Sequence, residues 1–286
     1  MLTVLFDGVA YGMLLFILSC GLSVTLGMMN FVNLAHGAFA MIGGYATAQL
    51  MNEAGVPFLA CLPIAFVIAA ALGLVLERTL YVRLYRKSHL DQVLFSIGLA
   101  FVAMSAMDYF FGAQQRLITL PDFLRGQFEV FGARIGVYRL FLIILCGLIT
   151  IALQLFVSRT RIGSQLRAAV DDARVAGGLG INVPRIFAGT FAFGSGLAGL
   201  GGALGLDLLG VDPVFPIKYM IYFLIVVTVG GTRSMVGPFI AALIIGLADV
   251  AGKYYVPQVG AFVIYTVMVV ILMIRPEGLM GRRATR

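Results

Sequence analysis

Residues 57–76 read PFLACLPIAFVIAAALGLVL, twenty positions without a charge. A bilayer core ~30 Å thick is crossed by about 20 apolar residues in a helix, so this stretch predicts a transmembrane helix. Comparable stretches run over 4–28, 31–51, 92–112, 139–158, 186–209, 219–231, 236–252 and 259–274. They fill most of the 286 residues, of which 61% are hydrophobic and only 12% charged. A soluble domain carries about 25% charged residues, so a solvated shell cannot be built from this chain. Disorder is excluded for the opposite reason, because apolar residues dominate throughout. The mean hydropathy of +1.02 points the same way. The expectation is an all-α, polytopic helical membrane protein with about 8–9 transmembrane helices, forming a single domain over 1–286. Segment 219–231 is short for a full span. Segment 31–51 holds Asn33, His36 and several glycines, and is read as intact, broken or re-entrant.

The rest of the composition agrees. The 35 glycines exceed the usual share, as in membrane helices that approach closely at small residues. No Trp is present, so an interfacial aromatic belt must come from Tyr and Phe. Cys20, Cys61 and Cys146 all lie in apolar runs with no CxxC spacing, which predicts neither a disulfide framework nor a metal site. The net charge of +7 reads as cytoplasmic Lys/Arg bias, not as a nucleic-acid surface.

That bias sets an orientation. The first 77 residues contain no Lys or Arg, which argues against a signal peptide with a basic leader. Arg78, Arg83, Arg86 and Lys87, then Arg159, Arg161, Arg167, Arg174 and Arg185, then Arg233, then Arg275, Arg282, Arg283 and Arg286 fall on one side if crossings alternate. Arg116, Arg125, Arg134, Arg139, Lys218 and Lys253 fall on the other. The richer side is expected to be cytoplasmic and to hold the C-terminus. Residues 113–138 are then an external loop and 159–185 a cytoplasmic one. No GxxxxGK[ST] phosphate loop occurs, so any ATP is used by another polypeptide.

The cytoplasmic stretch, RTRIGSQLRAAVDDARVAGGLGINVPR, has helical periodicity. As one helix it sets Ile162, Leu166, Ala169, Ala173 and Ala176 on one face. Ser164, Arg167, Asp171 and Arg174 share the other, with Arg167–Asp171 and Asp171–Arg174 spaced for ion pairs. Gly177, Gly178 and Gly180 end it before Pro184. A passive interfacial helix is one reading, but such helices bury bulky side chains; this Ala-rich face suits a protein contact better.

Elsewhere, polar side chains interrupt apolar sequence. Asn30, Asn33 and His36, with Gly37, read either as a pathway-lining or gating element or as interhelical hydrogen bonding. Gly194, Ala198 and Gly202, and beside them Ser195, Gly199 and Ala203, form small-residue stripes that predict packing. The stretch 229–238, VGGTRSMVGP, holds Gly230, Gly231 and Ser234; it is a broken-helix element or a tight turn. Asp249, four residues before Lys253, is expected to be satisfied by it.

Taken in order, these motifs resemble the permease subunits of branched-chain amino acid ABC importers, specifically the shorter, H-type one. NFVNLAHGAFAMIGGY at 30–45 is close to that family's NFAHG…M.GAY signature. Arg161, Gly163, Arg167, Ala168 and Asp172, with Gly180 and Ile181 downstream, match its R.G…RA…D…GI motif. The VGG..S..GP segment at 229–238 and Arg275-Pro276-Glu277-Gly278-Leu279 complete the set. Departures are Leu34 after Asn33, where Phe is common, and Asp171-Asp172-Ala173, where a Glu/Asp–Asp/Asn pair is usual.

The resemblance implies a subunit in a bacterial inner membrane that passes aliphatic amino acids. It implies a second, usually different permease, two cytoplasmic ATPases that carry ATP and magnesium, and a periplasmic binding protein. The residues at 161–181 correspond to the helix that docks on the ATPase. The chain itself is expected to hold no cofactor, metal or catalytic group. Other amino acids, amides and urea-like solutes remain open as substrates. The alternative is an ion-driven secondary transporter, which needs intramembrane carboxylates or discontinuous helices in both halves. A membrane enzyme needs a reactive constellation at one depth, and His36 and His89 lie on different segments.

Overall fold

The computed structural model describes every residue except 29, 30, 32, 86, 131, 232–234 and 281–286. Each apolar stretch becomes a helix: α1 (Leu2–Met28), α2 (His36–Asn52), α3 (Phe58–Thr79), α4 (His89–Phe111), α5 (Val137–Arg159), α8 (Val183–Leu209), α9 (Phe215–Gly230), α10 (Val236–Tyr255) and α11 (Gly260–Ile274). Between α5 and α8 lie two short helices, α6 (Arg161–Asp171) and α7 (Ala173–Gly178). Residues 127–136, expected only as loop, form a hairpin in which β1 (Gln127–Val130) pairs antiparallel with β2 (Ala133–Gly136). Among the described residues, six helices (α1, α3, α4, α5, α8 and α10) are long and apolar enough to cross a membrane. α9 and α11, with 16 and 15 residues, rise only about 24 and 22 Å at ~1.5 Å per residue.

The burial of these helices sorts them. In α1 and α8, 78% and 67% of the most apolar window is buried; in α4 and α5 only 11% and 17%. α1 and α8 are therefore the centre, and α4 and α5 the rim. The rim side chains, such as Leu94, Phe101, Ile144 and Leu148, are large, apolar and exposed, as a lipid-facing or subunit-facing surface requires.

Small residues bring the central helices together. A methyl group added at Gly202 would fall on the backbone of Ala40 in α2, and one at Gly194 would sit 2.9 Å from the Cα of Gly21 in α1. On the neighbouring stripe, Ser195 lies against Gly73 of α3, and Gly199 against Ala65 and Ala69 of α3 as well as Gly43 of α2. α8 thus offers one stripe to α1 and α2 and another to α3 and α2. Because lipid tails are as apolar as the side chains, dispersion contacts at this short range, not water exclusion, hold such helices together. α1 and α10 run antiparallel by the same means, with Gly8 against Leu247, Gly12 against Ala242 and Leu243, and Phe16 edge-on to Phe239.

The stretch 113–138 is tied to one end of this core. Arg116 exchanges backbone hydrogen bonds with Val211, Gln115 donates to the carbonyl of Leu209, and the Tyr138 hydroxyl donates to the carbonyl of Leu204.

Two substitutions separate packing from propensity. Gly202→Val forces the α2–α8 contact apart, an overpacking cost of about 1–3 kcal/mol or more, and should lower the melting temperature in detergent. Gly98 in α4 has nothing within 4 Å of where a Cβ would stand, so Gly98→Ala should be neutral or raise stability by about 0.5–1 kcal/mol. Equal responses would mean the α8 contacts are not the basis of the bundle.

Candidate functional site

The stretch 159–182 is an elbow of two helices, not the single helix its periodicity suggested. Thr160 caps α6, its hydroxyl accepting from the N–H of Gly163 at 3.1 Å. Gly163 sits against the carbonyls of Val157 and Phe156, so no larger residue fits where α6 turns off α5. α6 ends at Asp172, whose extended backbone (φ −153°, ψ 102°) breaks the helix. Its carboxylate then caps α7, accepting from the N–H groups of Arg174 and Val175 at 2.8 and 2.9 Å. A capping Asp next to a helical Asp competes with helix continuation, which hydrophobic periodicity alone does not register.

The break corrects two expectations. Ile162 and Ala173 are exposed and do not join the buried face of Gly163, Leu166, Ala169 and Ala176. Among the described residues neither Arg167–Asp171 nor Asp171–Arg174 forms an ion pair; the Arg167 guanidinium turns back and donates to the carbonyl of Val157. Gly180, at φ +85°, closes α7 in the left-handed conformation that favours glycine. The N–H of Ile181 then reaches the carbonyl of Ala176 at 3.1 Å. Asn182 starts α8 by accepting from the N–H of Arg185. Ala168 is half-buried and supplies the carbonyl that receives the Asp172 N–H. Arg161, Arg167, Arg174, Val175 and Leu179 are left exposed. Behind the elbow, Ile162 and Leu166 border an apolar cleft of about 310 Å³ reaching Cys20 and Val24 of α1 and Gly194 of α8.

The second candidate group is a seam inside the bundle. α2 does not begin until His36, whose Nε2 lies 2.9 Å from the carbonyl of Leu18, near the middle of α1. Its ring packs edge-on to Phe223 of α9 and covers Gly21. Asn33, fully buried, holds the turn before it: Oδ1 accepts from the Tyr81 hydroxyl at 3.0 Å and from the N–H of Ala35 at 3.1 Å. Ser96 of α4 accepts from the N–H of Leu34. Gly37 admits the backbone of Pro216 at the start of α9. The backbone is thus non-helical just before α2, at bundle depth, where its polar groups must find partners within the protein. Asn30 lies outside the described residues.

The third group comes together from distant sequence. α9 ends at Gly230, and the turn at 275–280 folds onto it. The N–H of Leu279 donates to the carbonyl of Val229 at 2.8 Å and that of Met280 to Gly230 at 3.3 Å. These are carbonyls that a helix C-terminus leaves unpaired. Gly278 lies against the backbone of Gly231 and Thr228, and Gly230 against Gly237 and Pro238. Residues 229–231 and 237–238 of the one motif and 278–279 of the other are therefore one structural unit. Ser234 lies outside the described residues.

One constellation escaped the sequence. At the end of the bundle opposite the elbow, Asp7 of α1 pairs with Arg139 of α5 at 2.5 Å, and Asp249 with Lys253 at 2.6 Å, around one cavity. The i,i+4 spacing announced the second pair; nothing in the sequence announced the first, whose members are far apart in the chain.

A bundle in which six of the described helices are long and apolar enough to span defines a multi-pass membrane protein. The chain belongs to the branched-chain amino acid transport system / permease component family, whose model matches residues 4–272. It is 28% identical to the high-affinity branched-chain amino acid transport system permease protein LivH of Escherichia coli (strain K12), over 97% of this chain and 94% of that protein. It is 26% identical to the corresponding permease BraD of Pseudomonas aeruginosa, over 97% and 95%. The permease LivM of E. coli is 26% identical over 94% of this chain and 68% of its own length. No solved structure matches the chain.

Asp172→Ala removes the acceptor of two N–H groups at the start of α7, a loss of about 1 kcal/mol. Amide exchange across 173–178 should quicken, while Asp172→Ser should retain most of the protection. Unchanged exchange in the alanine variant would show that the cap does not hold the elbow.

Proposed function

We propose that this chain is a permease subunit of an ABC importer for branched-chain amino acids, forming part of the translocation pathway and holding no ATPase site. The observation that carries the reading is similarity to LivH and BraD over 97% of the chain. In this reading the subunit lies in a bacterial inner membrane with its C-terminus in the cytoplasm, residues 113–138 in the periplasm and 159–185 in the cytoplasm. A second permease of the LivM kind completes the pathway. A periplasmic binding protein delivers substrate, and two cytoplasmic ATPases hold ATP and magnesium.

The elbow is the coupling element. Both of its ends continue into helices of the bundle, so force on α6 and α7 passes to α5 and α8. Its free surface combines cationic Arg161 and Arg174 with exposed Val175 and Leu179, a mixture suited to a protein cleft. Gly163, Asp172 and Gly180 give it shape; Arg167 ties it to the end of α5. Asn33, His36, Gly37, Gly230 and Gly231 lie where the helices are interrupted, and these interruptions are where the wall changes shape as the pathway opens.

Single cysteines at Ile162, Ser164, Val175 and Leu179 should cross-link to the ATPase in the assembled complex, and Arg167→Glu should uncouple ATP hydrolysis from leucine uptake. Free labelling by a water-soluble thiol reagent with no cross-link would remove the elbow from the interface. Asn33→Ala leaves the buried Tyr81 hydroxyl without its acceptor, a penalty of about 1–3 kcal/mol. Uptake should fall further than the amount of protein in the membrane; proportionate losses would mean that Asn33 only stabilises the fold.

A further inference from the structure

The cavity at the end opposite the elbow has a volume of about 330 Å³, at the small end of the ~300–1,000 Å³ typical of ligand sites. Five charged side chains from four helices line it. Asp7 and Arg139 are committed to each other. Asp249 is only 1% exposed; its Oδ2 takes the Lys253 ammonium, while its Oδ1 is buried without a hydrogen-bond partner among the described residues. Lys218 is exposed and forms no ion pair among the described residues; its ammonium stands 5.3 Å from the ring centre of Tyr219. Tyr11 and Tyr222 complete an aromatic wall beside Leu208 and Leu209.

Leaving a carboxylate oxygen buried and unpaired is costly, and such a group in a cavity invites a donor. The site therefore holds one unanswered anionic atom and one unanswered cation beside an apolar and aromatic surface. A simple anion would use only Lys218; a simple amine would use only Asp249. We propose that this cavity is a transient subsite for the zwitterionic head of an α-amino acid, its ammonium on Asp249 Oδ1, its carboxylate at Lys218, and its aliphatic side chain against the tyrosines. The inference rests on the permease reading above and adds that this subunit itself recognises the head group on the way in. The committed Asp7–Arg139 pair carries no net charge, so the solute meets chiefly the free oxygen of Asp249 and the Lys218 ammonium.

The test uses the assembled importer without its binding protein, carrying Leu209→Cys, or Leu208→Cys if the first variant accumulates poorly. The native cysteines Cys20, Cys61 and Cys146 are free and buried, so the unsubstituted protein serves as the labelling control. Millimolar leucine should slow modification by a charged methanethiosulfonate severalfold. 3-Methylbutylamine and 4-methylpentanoate, each lacking one charge, should not. Asp249→Asn should abolish the protection; Lys218→Gln, at an exposed position, should weaken it and serves where Asp249→Asn fails to accumulate. No protection by leucine, or equal protection by either singly charged analogue, overturns the proposal. Uptake of labelled leucine by the unsubstituted complex with its binding protein is measured in parallel. If that uptake is normal while protection fails, the subsite is wrong and the permease reading stands; if no leucine is imported, both fall.

Discussion

The bundle depends on how closely three neighbouring helices approach α8. Within lipid there is no water to expel from between helices, so attraction must come from contact at the shortest range. Gly194, Gly199 and Gly202 supply that range on α8; Gly21 of α1, Gly43 and Ala40 of α2, and Ala65 and Ala69 of α3 answer them. Once these four helices are locked, α10 lies along α1 through Gly8, Gly12 and Gly246. α4 is left at the rim, and α5 touches the core mainly through α1. The rim helices then have apolar outer faces free for lipid or a second subunit.

The same solvent that requires close packing forbids unpaired backbone, and each interruption is sealed accordingly. The turn before α2 is held by Asn33, Tyr81 and Ser96. The end of α9 is sealed by the N–H groups of Leu279 and Met280. The elbow, at the bundle's edge, uses side-chain caps instead: Thr160, Asp172 and Asn182. Sites where backbone hydrogen bonding passes from a helix to a side chain or a distant strand of chain are places where a helix pair can change angle without breaking its own ladder.

Charge is divided in the same spirit. The elbow end carries arginines with no carboxylate partner among the described residues at Arg161, Arg167 and Arg174, while the opposite end gathers Asp7, Arg139, Lys218, Asp249 and Lys253 around one cavity. One end thus presents exposed cations, and the other gathers paired charges around a cavity.

Much of this was determined by sequence alone. Stretches such as 57–76 are too apolar for water, so membrane helices follow wherever they occur, and the ordered motifs at 30–45, 161–181, 229–238 and 275–279 point to a permease. The small-residue stripes announced packing, and the glycines after Ala176 announced a helix end. Tertiary structure decided which partner each stripe meets, because a Gly reports closeness without naming what approaches. It decided that the elbow is two helices, since a capping Asp competes with periodicity through hydrogen bonds that a hydrophobic pattern does not encode. It joined 229–231 to 278–280 and set Asp7 beside Arg139, because hydrogen bonds and ion pairs between segments far apart in the chain depend on how α1, α5, α9 and α11 are arranged, and that arrangement exists only once the bundle has closed.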